Sequence, residues 1–158
     1  MITVNSDIAP ALAQLDAQRD RLRLAARSSV TNGANRLLVL VQGKLSGDVL
    51  NSRSGKLLRS IRAEVSDSAE VIGARVFSDG SVPYARIQEF GGRISIPAAS
   101  AVQARAMAFA YEGRLVFARS VAAHVVDIPE RSYMRSSLDE FASTFADEMT
   151  AAVAGATA

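Results

Sequence analysis

The residue types that could perform catalysis are scarce in this chain. It has one histidine, His124, and no cysteine. A single histidine excludes a multi-histidine metal site and leaves a serine triad with only one possible base, and no GxSxG motif accompanies it. We therefore expect His124 to be structural or exposed, and we expect no cofactor and no metal ion.

Phosphate-binding and carboxylate chemistry are equally poorly supported. The segment SGKLLRS contains the pair Gly55-Lys56, but it lacks the upstream glycine and the strand that a phosphate loop requires. Four acidic residues flank predicted strands and turns, and their spacing matches neither a two-carboxylate hydrolase nor a metal cluster. They are Glu64, Asp67, Glu70 and Asp79. The sequence thus predicts a protein that is not an enzyme; the remaining alternative, a hydrolase, would have to rely on His124.

Arginine is the residue type whose placement suggests a second function, nucleic-acid binding. Several arginines lie mainly off the apolar stripe of the first predicted helix, where they could contact phosphates: Arg19, Arg21, Arg23, Arg27 and Arg36. The net charge is only +2 and there is no polybasic tail, so charge does not require a nucleic-acid partner. A solvated helix face with Asp16 and Asp20 nearby is the simpler interpretation, and DNA or RNA binding by this Arg-rich helix is the alternative.

Helices are predicted at both ends of a single domain that spans residues 1–158. Apolar residues recur at steps of three, four or seven from Ile8 to Leu45, which predicts a helix from about Ser6 to Leu45 within a helical region 1–45. Asn32-Gly33 is a point where it could kink or split. The same periodicity predicts a C-terminal helix over residues 130–152, with a frayed tail beyond it. No basic leader is present and no segment approaches the roughly 20 apolar residues of a membrane span.

The region 56–128 alternates like an antiparallel sheet. Ile61, Ala63 and Val65 face one way, and the run EVIGARVF after SDSA completes a hairpin. RISIP is a short strand, and RAMAFAYEGRLVFA predicts a second hairpin with a tight turn at Glu112-Gly113. SVAAHVVDIP fits either a continuing strand or an extended arm. The order of helices and strands predicts an α+β fold, an antiparallel sheet packed by helices.

The stretch VPYARIQEFGG predicts a short central helix over residues 83–90. Tyr84, Ile87 and Phe90 fall three apart and are expected to anchor this helix on the sheet. Gly91 or Gly92 can take the left-handed conformation that ends a helix. Arg86 and Glu89 are then expected to face outward.

The segment IPERSY predicts the entry into the last helix. Pro129 stops the preceding strand and keeps Ile128 extended. Glu130 favours the positive end of the helix that follows. Tyr133 and Met134 are expected to begin the buried stripe of that helix.

Three of these segments, in this order, resemble a known family. A long N-terminal helix leads to SGKLLRSIRAEV, then to VPYARIQEFGG, and last to IPERSYMRSSLDEF. The series is similar to the tail-completion, or head–tail joining, proteins of long-tailed bacteriophages, both the lambdoid tail-component family and the virion-morphogenesis proteins of Mu-like phages. It covers roughly residues 37–141. The family usually has Arg-Pro-Phe or Arg-Pro-Tyr where this chain has Arg131-Ser132-Tyr133.

The resemblance implies a structural virion protein, made in the bacterial host cytoplasm and incorporated into the phage neck or tail. Such proteins act as rings, expected here to be hexamers, between the tail tube or tail terminator and the head connector, with DNA passing through the ring. The roles it leaves open are tail completion, tail terminator and head–tail connector. Four charged residues are the candidate subunit interface: Arg86, Glu89, Arg131 and Arg135. Glu89 is expected to meet an arginine of a neighbouring subunit.

Overall fold

The computed structural model describes residues 8–47, 49–50, 54–102, 105–111 and 113–157. It has a long N-terminal helix, small antiparallel sheets and a C-terminal helix, which confirms the α+β class. The chain forms two compact units: Met1–Ala85 with Ser132–Ala158 is unit 1, and Arg86–Arg131 is unit 2. The single-domain organisation stays a prediction.

Four helices and eight strands are formed by the described residues. The helices are α1 Ala9–Leu45, α2 Lys56–Ser60, α3 Ala85–Phe90 and α4 Tyr133–Thr157. The strands are β1 Ile61–Asp67, β2 Ile72–Ser78, β3 Gly92–Ile96, β4 Ala99–Ser100, β5 Met107–Tyr111, β6 Arg114–Ala118, β7 Ser120–Val121 and β8 His124–Ile128.

Helix α1 follows the predicted periodicity closely. It has 37 residues with a proline in its first turn. Proline is tolerated there because the backbone N–H that it lacks would have no hydrogen-bond partner within the helix. The predicted capping types at positions 5–7 lie outside the described residues, and Ile8 at the N-cap makes no side-chain capping bond. The helix passes through Asn32-Gly33 without a break, so the predicted split at this point is wrong, whereas the kink stays a prediction.

The crossing of α1 and α4 explains why a glycine lies inside the helix. A Cβ atom at Gly33 would lie 2.5 Å from Cε2 of Phe145 and 3.2 Å from Cζ of Phe141. These two rings stack on each other with centroids 5.0 Å apart. The ion pairs Arg36–Glu148 and Lys44–Glu140 join the two helices. Because the residue numbers rise along α1 while those of the partners fall along α4, the helices are antiparallel. Glycine at position 33 is therefore required by close helix packing.

The core of unit 1 lies where the end of α1 meets α2, β1 and the first turn of α4. Its buried residues are Val41, Leu45, Leu57, Ile61, Val82 and Tyr133. Burial of such side chains contributes roughly 1.5–3 kcal/mol each to folding. The predicted buried position of Tyr133 is confirmed, because its side chain is 1% exposed.

The first predicted hairpin is confirmed. Strand β1 pairs with β2 in antiparallel register from Ile61↔Ser78 to Asp67↔Ile72. Ile61 is buried and Ala63 and Val65 are half-buried, whereas the alternate residues of β1 are exposed. The turn is closed by the Ser68 amide, which donates to the carbonyl of Val71 at 2.9 Å.

Unit 2 is a short helix, α3, followed by one long two-stranded ribbon. Its strands pair as nested hairpins, β3 with β8, β4 with β7 and β5 with β6. The pairs β3–β8 and β4–β7 share one register, Gly92↔Ile128 through Ser100↔Ser120. Residues 101–106 join β4 to β5, whereas Arg119 alone joins β6 to β7. The predicted hairpin β5–β6 is confirmed, and SVAAHVVDIP supplies both return strands β7 and β8.

Three helical segments differ from the sequence prediction. Helix α3 begins at Ala85 rather than at residue 83, so Tyr84 lies before it. Helix α2 was not predicted, because its five residues are too few to show a helical period. Helix α4 begins at Tyr133 rather than at residue 130 and continues to Thr157, so the expected frayed tail is wrong as far as Thr157.

The α1–α4 crossing gives a stability prediction. Gly33→Ala should lower the free energy of unfolding by about 1–3 kcal/mol, because the new methyl group overlaps the Phe145 ring. Chemical denaturation followed by circular dichroism measures this change.

Gly155→Ala in α4 is the matched control. No atom lies within 4 Å of a Cβ built there, so the same substitution should be neutral or stabilise by up to about 1 kcal/mol. Equal stability of Gly33→Ala and the unchanged protein would contradict the packing described at the crossing.

Candidate functional site

The residues considered for catalysis do not converge in the structure. His124 is exposed in β8, and its Nδ1 lies 3.0 Å from the carbonyl oxygen of Ala122. Within the described ranges, no group of three or more histidine, aspartate or glutamate residues could hold a metal ion. Glu64 pairs with Arg75 across the first hairpin, and Asp67 pairs with arginines of α1. These carboxylates therefore serve as ion-pair partners.

The displaced pKa values have structural causes. The Arg36 guanidinium donates a hydrogen bond to Glu148 and lowers the pKa of that carboxyl, while Glu148 raises the pKa of Arg36. Hydrogen bonds from Ser81, including its backbone amide at 2.9 Å, lower the pKa of Asp79, and Arg62 adds a smaller effect. A carboxyl with a depressed pKa favours the folded state above its ordinary pKa and loses this effect as the pH falls through the lowered value.

The arginines of α1 are largely engaged within unit 1. Arg23 donates to Asp67 and to the carbonyls of Ser68 and Ala69 at the tip of the first hairpin. Arg27 lies 3.4 Å from the other carboxylate oxygen of Asp67. Since Arg36 pairs with Glu148, three of the arginines proposed for nucleic-acid contact already have carboxylate partners.

The short helix α3 ends as its sequence predicts, at a glycine that lies close to the backbone of residues 128–130 of the same chain. Gly91 has φ +67° and donates its amide to the carbonyl of Ile87 at 2.9 Å. A Cβ atom there would lie 2.7 Å from the amide nitrogen of Glu130 and 2.9 Å from the carbonyl oxygen of Ile128. Both the left-handed conformation and this close approach require glycine at position 91.

The expected orientation of α3 is wrong for most of its side chains. Tyr84 and Phe90, expected to anchor the helix, are exposed, and only Ile87 is partly buried. Glu89, expected to face outward, is only 5% exposed. The spacing of three describes the helix correctly, but the covered face is the one that carries Glu89.

The structure brings part of the predicted interface set together. The Arg131 amide donates to the carbonyl of Gln88 at 3.0 Å, so residues 86–89 and 131 are neighbours in unit 2. Arg86 and Arg131 are exposed, and Arg135 is exposed in the first turn of α4 in unit 1. Their role at a subunit interface stays a prediction.

The entry into α4 contains a residue with a left-handed backbone conformation. Ser132 has φ +43°, a conformation that proline, fixed near −65°, cannot adopt. Its carbonyl accepts the Ser136 amide at 3.1 Å in the first turn of the helix. A proline at this position would therefore require a different backbone from the one observed here.

Exposed apolar side chains on the ribbon form a surface that sequence reasoning missed. We define its tip as β5 and β6. Alternation places Leu115 and Phe117 of β6 on one face of the tip, together with their cross-strand partners Ala110 and Ala108 of β5. Leu115 is 65% and Phe117 is 66% exposed. Met107, Phe109 and Val116 share the other face with Arg114 at its end, so both faces of the tip carry apolar side chains. The near-continuous apolar run of AMAFAY and RLVFA was the available signal.

A second exposed apolar surface lies on the first turns of α1. Ile8, Leu12 and Leu15 belong to the stripe that is buried further along the helix, yet they are 63%, 53% and 60% exposed. Every residue from Ile8 to Ala17 is exposed. We call this segment, Ile8 to Asp20, the leading segment of α1.

Comparisons with protein-family models, with curated proteins and with solved structures found no match to this chain. Among the described residues, no helix is long and apolar enough to cross a membrane.

Removal of the Tyr133 ring should strongly destabilise unit 1. Tyr133→Ala is expected to lower the free energy of unfolding by about 3–5 kcal/mol, because it empties a fully buried ring site. Tyr133→Phe is the matched control: it keeps the ring, removes the hydroxyl with its 3.3 Å bond to the carbonyl of Ala85, and should cost less than about 1.5 kcal/mol. A melting temperature for Tyr133→Ala equal to that of the unchanged protein would show that the ring is not part of the core.

The burial of Glu89 changes the expected effect of its charge reversal. Glu89→Arg should destabilise the isolated chain by about 2 kcal/mol or more, because a larger cation replaces a buried carboxylate. Arg86→Glu, an exposed reversal on the same helix, should change stability by no more than about 0.5 kcal/mol. Thermal unfolding at a concentration where the chain is monomeric measures both, and similar small effects would contradict the burial of Glu89.

Proposed function

We propose that this protein is a structural, non-enzymatic subunit of a bacteriophage neck or tail that acts by self-assembly into a ring and by docking between tail tube and head. The observation that carries the proposal is the ribbon tip of unit 2, which exposes large apolar side chains on a two-stranded scaffold. The proposed roles are tail completion, tail terminator or head–tail connector, and the proposed location is the virion.

The argument for assembly begins with the energetics of a two-stranded ribbon. An isolated hairpin is at best marginally stable in water, and stability needs further strands or a covering layer. Each described sheet of this chain has only two strands, so each strand has an unpaired edge. Partner chains would bury Leu115, Phe117 and these edges at once, which favours a protein that works within an assembly.

The argument for a ring rests on the asymmetry of the exposed surfaces. The ribbon tip and the leading segment of α1 are different surfaces on different units of the same chain. A contact between unlike patches is head-to-tail, and it generates a closed ring when the rotation between copies closes. The phage assignment is supported by the ordered segments SGKLLRSIRAEV, VPYARIQEFGG and IPERSYMRSSLDEF.

The alternative function, nucleic-acid binding through α1, has weaker support. Arg23, Arg27 and Arg36 are held by carboxylates of the same unit, and their release would sacrifice these pairs. Arg19 and Arg21 are exposed and make no ion pair with described residues. DNA inside the ring is therefore proposed as a weak contact rather than the basis of function.

Two measurements on the purified chain test this proposal. Analytical ultracentrifugation and electron microscopy over a concentration series should show discrete rings, expected to contain six copies. Fluorescence anisotropy with duplex DNA at physiological salt should show no nanomolar binding. A monomer that binds DNA tightly, with an affinity that falls steeply as salt increases, would contradict the structural role and favour the alternative.

The viral assignment has its own test in the genes beside the coding sequence. Neighbouring portal, capsid or tail-tube genes are the expected result. A metabolic operon would contradict a role in the virion.

A further inference from the structure

We propose that the ribbon tip of one copy docks on the leading segment of α1 in the next copy. This inference rests on the proposed function, because it names the contact through which the copies would assemble. It joins two exposed apolar surfaces, Leu115 and Phe117 on the ribbon and Ile8, Leu12 and Leu15 on the helix.

The apolar stripe runs along the whole of α1, but only part of it is buried. From Leu37 to Leu45 the stripe packs into the core of unit 1. At Leu22 it is still half-buried, whereas at Leu15, Leu12 and Ile8 it is exposed. The same stripe that packs within the chain is thus presented to a second chain at its leading end.

The ribbon tip has the shape to receive a helix. Ala108 pairs with Phe117 and Ala110 pairs with Leu115, so on this face two large side chains of β6 rise beside two alanines of β5. The five residues of β5 span about 17 Å at roughly 3.4 Å per residue. The twelve residues from Ala9 to Asp20 span about 18 Å at 1.5 Å per residue, so the lengths match.

The net charges beside the two surfaces are opposite. Arg119 follows Phe117 by two residues, just beyond β6, whereas Arg114 begins β6 on the other face, with Val116; both are exposed, and neither forms an ion pair with a described residue. On α1, Asp16 and Asp20 continue the row that Leu12 begins, at steps of four, and they too are exposed without a described ion-pair partner. Arg19 continues the row of Leu15, so the leading segment carries two acidic residues and one basic residue. Opposite charges at the rim of an apolar contact favour this pairing over ribbon–ribbon contact, in which arginine would meet arginine.

The contact is small, and that suits a ring. A few apolar side chains on each partner do not reach the area of about 1,600 Å² that a standard stable pair buries. In a closed ring each copy makes the contact twice, once through its ribbon and once through α1, and closure makes the last contact intramolecular. Assembly is therefore expected to be steeply dependent on concentration.

Disulfide cross-linking tests the contact directly, since the chain has no cysteine of its own. Leu12→Cys and Phe117→Cys, purified separately and mixed under oxidation with a tag on one of them, should form a mixed disulfide dimer. Val39→Cys is the matched control, because Val39 is 65% exposed on the same helix outside the leading segment. It should not cross-link to Phe117→Cys. Cross-linking that is equal for both positions, or absent for Leu12→Cys, would overturn the proposed contact.

The doubly substituted chain, with both Leu12→Cys and Phe117→Cys, decides whether the contact joins different copies. A ladder of linked copies, ending in a closed ring, is expected. An internally linked monomer without a ladder would show that the ribbon reaches α1 of its own chain, and it would overturn the intermolecular contact.

Charge exchange provides an independent test. The variant with Arg114→Glu and Arg119→Glu, and the variant with Asp16→Arg and Asp20→Arg, should each self-associate at least about tenfold more weakly at low salt, because like charges then face each other. An equimolar mixture of the two variants should assemble again, because each ribbon then meets an opposite charge. Failure of both variants to change association would contradict the pairing.

These outcomes separate the inference from the proposed function. If the chain forms rings while Leu12→Cys and Phe117→Cys do not cross-link and charge exchange has no effect, the contact is wrong and the ring function stands. If the chain remains monomeric at every concentration, both are wrong.

Discussion

A two-stranded ribbon has only one way to hide an apolar face, which is to be covered by something else. This constraint governs unit 2. The sequence of β5 and β6 places apolar side chains on both faces, yet the described sheets contain two strands each, and Leu115 and Phe117 stay exposed. We propose that contacts with other chains supply the free energy that stabilises this ribbon. Under the proposed function, the ribbon is the segment that a partner completes.

Unit 1, in contrast, has a core of its own, which contains few large residues. An alanine-rich chain can pack its helices closely, and the absence of a side chain at Gly33 lets α4 approach α1 until Phe141 and Phe145 fill the space. At the other end of the crossing, Tyr133 is buried against the end of α1 and bonds the carbonyl of Ala85. Unit 1 therefore has a packed core, while the first turns of α1 are exposed.

Local periodicity made much of the fold predictable. The three- and four-residue steps of α1, the alternation of β1 and a left-handed glycine at position 91 or 92 each depend on neighbouring residues alone, and each was predicted. The pairing of β4 with β7 involves two residues per strand and a distant partner, so no local signal marks it. The orientation of α3 failed for a related reason: a spacing of three shows that Tyr84 and Phe90 share a face, but not whether that face is covered. The burial of Glu89 depends on tertiary contacts that charge patterning does not record. Of the candidate site, the sequence indicated the residues of α3 and the entry to α4, and it missed the ribbon tip and the leading segment of α1.

The central claim, that the ribbon is completed only by assembly, is tested most directly by hydrogen exchange of its backbone amides. Exchange of residues 107–118 should be measured in dilute monomer and in the assembled form, with the amides of α1 from Leu37 to Leu45 as the internal reference. The account predicts rapid exchange of the ribbon amides in the monomer and strong protection after assembly, while the reference amides are protected in both. Ribbon amides that are equally well protected in the isolated monomer would contradict it.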